Sequence, residues 1–152
     1  MTLDDEGRCA LTLDGVVQWQ ADTGVSRAAG NPFREAIAWA EAGVVVVGGG
    51  TTMLALNGER GAVLARHDIP DGFGRFAVVT SRTLGPLLLV LGWCHVVALD
   101  TKLEARWTAH DVAVDGLLLR ACDGDVVLLS AELDPPGGWV DVALDVSSGA
   151  RR

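Results

Sequence analysis

The feature that most constrains this chain is a nine-residue window that recurs four times without gaps. Its copies are Val16-Val-Gln-Trp-Gln-Ala-Asp-Thr-Gly24, Met53-Leu-Ala-Leu-Asn-Gly-Glu-Arg-Gly61, Val96-Val-Ala-Leu-Asp-Thr-Lys-Leu-Glu104 and Asp141-Val-Ala-Leu-Asp-Val-Ser-Ser-Gly149. The fifth position holds Gln20, Asn57, Asp100 and Asp145, at spacings of 37, 43 and 45 residues, the length of a four-stranded propeller blade. Each window opens as a strand whose side chains alternate between two faces. The Asx residue then ends the strand, because its short side chain bonds backbone groups in the turn. Glycine closes three of the four turns, where a positive φ costs little.

A second apolar strand precedes each window, at Cys9-Leu13, Val44-Val47, Leu87-Leu91 and Val126-Leu129, joined to it by Gly- or Asp-rich connectors of hairpin composition. A third strand fits at Ala36-Ala40, Phe76-Thr80 and Leu117-Ala121. A fourth follows the window at about Ala62-Arg66 and Ala105-Ala109, and in the first unit at about Val25-Ala28. The units run approximately over 9–30, 36–70, 76–112 and 117–152 of a single repeat domain. One segment pulls the other way: Asn31 to Gly43 carries an N-cap, a proline at the first helical position and a closing glycine. Local rules read it as helix. Alignment of Ala36-Gly43 with Leu117-Gly124 reads it as strand, and the strand reading is taken.

These repeats resemble those of the quinoprotein-like β-propellers, in particular the pyrroloquinoline-quinone-like repeat. That family's pattern is an apolar strand and turn, then Ala-Leu-Asp-x-x-Thr-Gly and an aromatic. Ala143-Leu144-Asp145 with Ser148-Gly149 matches well. Ala98-Leu99-Asp100 with Trp107 matches in part, Leu103-Glu104 standing where the family has Thr-Gly. Ala55-Leu56-Asn57 with Gly61 is fair, and Thr23-Gly24 keeps only the last two positions. The resemblance implies an all-β fold of propeller-type repeats, about four blades, open or partial. In the family's enzymes it would also imply a quinone and a calcium ion. With no adjacent cysteine pair and no full set of blades, it carries the scaffold and not the site.

Composition narrows the partners. A net charge of −8 argues against nucleic acid, whose phosphates demand Lys and Arg. The longest apolar stretch, Pro86 to Leu99, is interrupted by Gly92 and His95 and is too short to span a membrane as a helix. The 14 Asp against 6 Glu lean away from helix, since Asp favours turns and caps. Cys9, Cys94 and Cys122 are odd in number and widely spaced, which suits free thiols in a reducing cytoplasm. The N-terminus is acidic and has no signal-peptide pattern.

Candidate chemistry reduces mostly to turn chemistry. His67-Asp68 and His110-Asp111 sit 43 residues apart, at the same place in consecutive repeats, and read as a structural pair. Asp123-Gly124-Asp125 is a turn without the remaining ligands of a calcium loop, and Gly48-Gly49-Gly50-Thr51-Thr52 lacks the lysine and helix of a phosphate loop. Trp19 and Trp107 are expected to pack between blades. Trp93, Trp139 and His95 are the candidate partner-binding residues, tryptophan being enriched at contact hot spots. No catalytic, cofactor or metal residue is assigned.

The expected function is a non-catalytic propeller-type binding module with a protein partner. Two alternatives stand beside it: a bacterial immunity-type protein that neutralises a toxin, and a fragment of a quinoprotein-like enzyme. Strand counting adds an expectation about closure. Met1 to Arg8 reads as too polar to supply a strand, and only Ala150-Arg152 remains for the last outer strand. The chain is therefore expected to be a half-ring, completed by a homodimer partner or by the rest of a longer protein.

Overall fold

The computed structural model describes residues 1–25 and 31–152. It falls into two compact units, 1–73 and 74–152. The first contains a three-stranded antiparallel sheet, β1 (Thr2–Leu3), β2 (Arg8–Leu13) and β3 (Val16–Asp22), and a four-stranded one, β4 (Arg34–Trp39), β5 (Val44–Gly49), β6 (Thr52–Asn57) and β7 (Val63–Asp68). The second holds β8 (Phe73–Ser81, which begins at the boundary), β9 (Gly85–Gly92), β10 (Val96–Leu99) and β11 (Ala105–Ala109). Its three-stranded sheet is β12 (Leu117–Asp123), β13 (Val126–Asp134) and β14 (Gly138–Asp145). Within each sheet the strands lie in chain order, as in a propeller blade.

The central strands β5 and β9 read as continuous apolar runs because both their faces are covered. The disputed segment is strand β4, followed by a single 3-10 turn at Ala40–Ala42 that Gly43 closes at φ 66°. Of the helix signals only Gly43 belongs to that turn; the Asn31 side chain instead donates to the Gly50 and Phe73 carbonyls and accepts the Phe33 N–H. The glycine run at 48–50 has a packing reason. A Cβ on Gly48 would sit 2.4 Å from the Phe73 ring, so the β5–β6 hairpin admits no side chain at that point.

The Asx turns form as the windows predict in three sheets. Asn57 Oδ1 accepts the N–H groups of Glu59 and Arg60, Asp100 Oδ1 those of Lys102 and Glu104, and Asp145 Oδ1 those of Ser147 and Ser148. The first window is mis-phased. Val16-Asp22 is the outer strand β3, the counterpart of β7 and β11, and the strand that corresponds to β6 and β10 is β2. A two-residue turn, Asp14 at φ 50° and Gly15 at φ 78°, replaces the Asx turn and hides the repeat from alignment. The expectation of no strand before Cys9 also fails, since Thr2–Leu3 pairs with β2. The outer strand expected at about Val25-Ala28 lies, from residue 26 on, outside the described residues.

Tryptophan joins the sheets within each unit. Trp19 on β3 donates its indole N–H to the Gly58 carbonyl at 2.8 Å and lies over Gly61. Trp107 on β11 donates to the Val146 carbonyl at 2.8 Å and lies over Gly149. Both expected inter-blade tryptophans are thus in place, each bonded 39 residues ahead.

Candidate functional site

The His-Asp pairs show how each outer strand is tied off. In three sheets the chain leaving that strand donates a backbone N–H to the turn before the inner strand: Thr23 to Gly7 at 3.0 Å, Ile69 to Thr51 at 2.8 Å and Val112 to Cys94 at 2.8 Å. Ile69 and Val112 are buried anchors. The histidines themselves are not equivalent. His67 lies opposite Met53 on β6, whereas Ala109 lies opposite Val96 on β10 and His110 falls beyond β11. The turn at Asp100 is one residue short, with Leu103 taking the positive φ, and Asp111 at φ 54° restores the phase before Val112.

The candidate residues all belong to the second unit. Trp93 is half-buried in the β9–β10 turn, and His95 beside it is buried, its carbonyl accepting the Gly92 N–H at 2.9 Å. Trp139 stands on β14 and is exposed, opposite Glu132 on β13. A loop, 110–116, runs from one region to the other. Val112 N–H bonds the Cys94 carbonyl, the Cys94 thiol reaches the Val114 carbonyl at 3.2 Å, and Val114 N–H bonds the Glu132 carbonyl at 2.8 Å. Glu132 N–H bonds the Gly116 carbonyl, and the Trp139 ring lies over Gly116, 3.1 Å from where a Cβ would stand.

This loop and the β13–β14 hairpin set beside the expected Trp139 exposed apolar residues that the sequence did not single out. Val114 is 54% exposed, Leu133 42%, Trp139 42% and Val140 43%. Leu133 is presented by a β-bulge: pairing slips between Glu132 and Asp134, and the residue between them is left unpaired. A departure from strict alternation ahead of the Asp134-Pro135-Pro136-Gly137-Gly138 connector is the sequence signal that would have found it. Glu132 lies opposite Trp139, Asp134 opposite Gly138, and Asp141 two residues along β14 on the Trp139 face. Glu132 also accepts the Gly137 N–H, which fixes the hairpin tip.

Burial pushes the Cys9 thiol above its ordinary pKa and does the same to Cys122, so both stay protonated at neutral pH. Among the described residues, no group of three or more His, Cys, Asp or Glu is placed to hold a metal ion, and no helix is long and apolar enough to cross a membrane.

No protein-family model and no curated protein matches the chain. A solved structure similar to it is that of BamB from Moraxella catarrhalis, with a TM-score of 0.65 and 18% sequence identity over 97% of this chain and 43% of that one. The fold is all-β, of propeller-type repeats in about four blade-like sheets. The chain spans less than half the length of BamB, and a likeness at that identity carries the scaffold, not the activity.

Proposed function

We propose that the chain is a non-catalytic protein-binding module that engages its partner through the surface around Trp139. The observation that supports this reading is the exposed Trp139, lying over Gly116 of the 110–116 loop, with Val114 exposed on that loop, Leu133 exposed at the adjoining bulge, Glu132 opposite Trp139 and Asp141 two residues along its strand. An aromatic centre inside a polar rim is the usual anatomy of a protein contact. Trp93 and His95 act behind that surface, as supports of the turn that holds the loop.

Affinity capture from the native host tests the proposal. Trp139→Ala should remove the captured partner, with a loss on the order of 2 kcal/mol of binding free energy expected of a hot spot. More than half of that side chain is covered, so the variant's unfolding is measured beside its capture, and the partner should be lost from a variant that still unfolds cooperatively. Undiminished capture by the variant sinks the reading. Light scattering of the 15.9 kDa chain then says whether the partner is a second copy.

A further inference from the structure

The hairpins β5–β6, β9–β10 and β13–β14 can be matched level by level, counting back from the Asx residue that closes each second strand. Five residues before Asn57, Asp100 and Asp145 stand Thr52, His95 and Val140. Thr52 pairs with Gly49, the His95 carbonyl accepts the Gly92 N–H, and Val140 pairs with Ala131. Beyond that common level the first two hairpins turn in two residues, Gly50-Thr51 and Trp93-Cys94. The third runs on through eight, 132–139, with Glu132 paired to Trp139 and Asp134 to Gly138. The segment 132–139 is therefore an arm added to an ordinary blade hairpin. A neighbouring sheet that turned at the common level would leave this arm uncovered.

The arm holds an aromatic ring and a fixed carboxylate side by side. The Trp139 ring stands 3.1 Å and Glu132 Oε2 3.8 Å from where a Cβ of Gly116 would be, so indole and carboxylate stand over the same glycine. Glu132 Oε1 accepts the Gly137 N–H, which fixes the carboxylate and leaves Oε2, the oxygen that faces Gly116, for a second donor. Elsewhere in this unit Asp100 has Arg106 and Asp145 has Arg152, but among the described residues no cation pairs with Glu132 or Asp134. From 121 to 150 the chain has six carboxylates and no lysine, arginine or histidine.

From this we infer that the arm binds an arginine of a basic protein segment. The guanidinium lies against the Trp139 indole, whose face attracts a cation, and donates to Glu132 Oε2. Arginine suits the place better than lysine, because its planar head can stack on the ring and still donate in its own plane. Asp134 and Asp115 attract the basic segment, and the exposed Leu133 and Val114 take its apolar side chains. The inference rests on the binding surface proposed above and names the partner's chemistry.

The probe is a fluorescein-labelled hexapeptide of alternating arginine and leucine, followed by anisotropy. Saturable binding is expected, weakened by salt and weakened about tenfold when citrulline, a neutral mimic of the same shape, replaces arginine. Glu132→Gln keeps an oxygen for the Gly137 N–H and removes the charge, and should weaken binding about tenfold. Trp139→Leu keeps apolar area and removes the ring, and should weaken binding about fivefold. Glu41→Gln with Glu59→Gln, two exposed carboxylates of the first unit, removes more charge and should change nothing. In the wild type the Trp139 indole N–H resonance should shift when peptide is added, while those of Trp19 and Trp107 stay, a reading taken on the unaltered chain.

Absence of saturable binding, full binding of the citrulline peptide, full binding by Glu132→Gln, an equal loss in the Glu41→Gln, Glu59→Gln double variant, or an unmoved Trp139 resonance each overturns the inference. So does a wild-type dimer that Glu132→Gln splits, since a second copy is then the occupant. If Trp139→Ala loses its captured partner while Glu132→Gln keeps it, the surface stands and the arginine falls.

Discussion

The two tryptophan docks solve one problem with different residues. Trp19 and Trp107 each bond the carbonyl one residue past an Asx cap and lie over the glycine four residues past it, at Gly58 and Gly61 in the first unit and Val146 and Gly149 in the second. The backing differs. Gly58 is pressed against the Gly43 carbonyl, 2.8 Å from where a Cβ would stand, so no side chain fits behind the Trp19 dock. At the same place the second unit has Val146, fully buried, with its N–H bonded to the Asp125 carbonyl at 2.9 Å. The repeat conserves where the indole goes, and it leaves open what stands behind it.

The largest expected effect is the removal of an indole. Trp107→Ala opens a cavity next to Val146 and Leu144 in the second unit's core and should cost about 3–5 kcal/mol. Trp19→Ala should cost less, because its acceptor turn has no apolar side chain behind it. Thermal or urea unfolding of the two variants ranks them, and a Trp19→Ala cost equal to or above that of Trp107→Ala breaks the comparison.

The closing glycine should come next. Gly149 stands at φ 71° and a Cβ there would meet the Trp107 ring at 2.5 Å; Gly61 at φ 67° would meet Trp19 at 2.6 Å. Alanine at either site adds left-handed strain of about 1–2 kcal/mol and overpacking of about 1–3 kcal/mol. If the docks are equivalent in geometry, Gly61→Ala and Gly149→Ala should cost the same within the error of the measurement. A neutral outcome at either glycine would show that the indole moves aside freely.

The docks also show why part of this fold was legible and part was not. Ala-Leu-Asn57, Ala-Leu-Asp100 and Ala-Leu-Asp145 betrayed their turns because an Asx cap is a local device: the side chain that ends the strand is in the sequence beside it. The first sheet turns at Asp14-Gly15 instead, so the nine-residue pattern aligns with Trp19's own strand. Strand β1 was missed for a related reason. Two residues cannot show alternation, and Thr2–Leu3 is held by its pairing with Ala10 and Cys9 and by the Asp4–Gly7 turn behind it. The surface around Trp139 was legible only at its tryptophan. Leu133 and Val114 join it through a bulge and a loop bonded across 18 residues of sequence, from Val114 to Glu132, and no local pattern encodes that.

The smallest expected effect separates the docks by pH. The cap of the first dock is Asn57, which does not titrate, and that of the second is Asp145. Hydrogen bonds from Ser147, then the Arg152 guanidinium, hold the Asp145 carboxyl well below the ordinary aspartate value of about 3.9. A folded-state pKa below the unfolded one contributes stability that is present above the unfolded value and is lost as the pH falls through the folded one. The stability that the second cap contributes should therefore decline from about pH 4 downward, and its folded turn should loosen only as the pH falls through the lowered folded value, while the first dock does neither. The side chain stays partly exposed, at 20%, so the change is best read locally, from the two indole N–H resonances in an acid titration stopped before global unfolding. The Trp107 resonance should move and the Trp19 resonance should stay. In Asp145→Asn both should stay, because the amide keeps an oxygen acceptor for the turn and carries no titrating charge. Parallel movement of the two indoles, or a Trp107 shift that survives Asp145→Asn, would remove the carboxylate as its cause and leave the docks alike in acid.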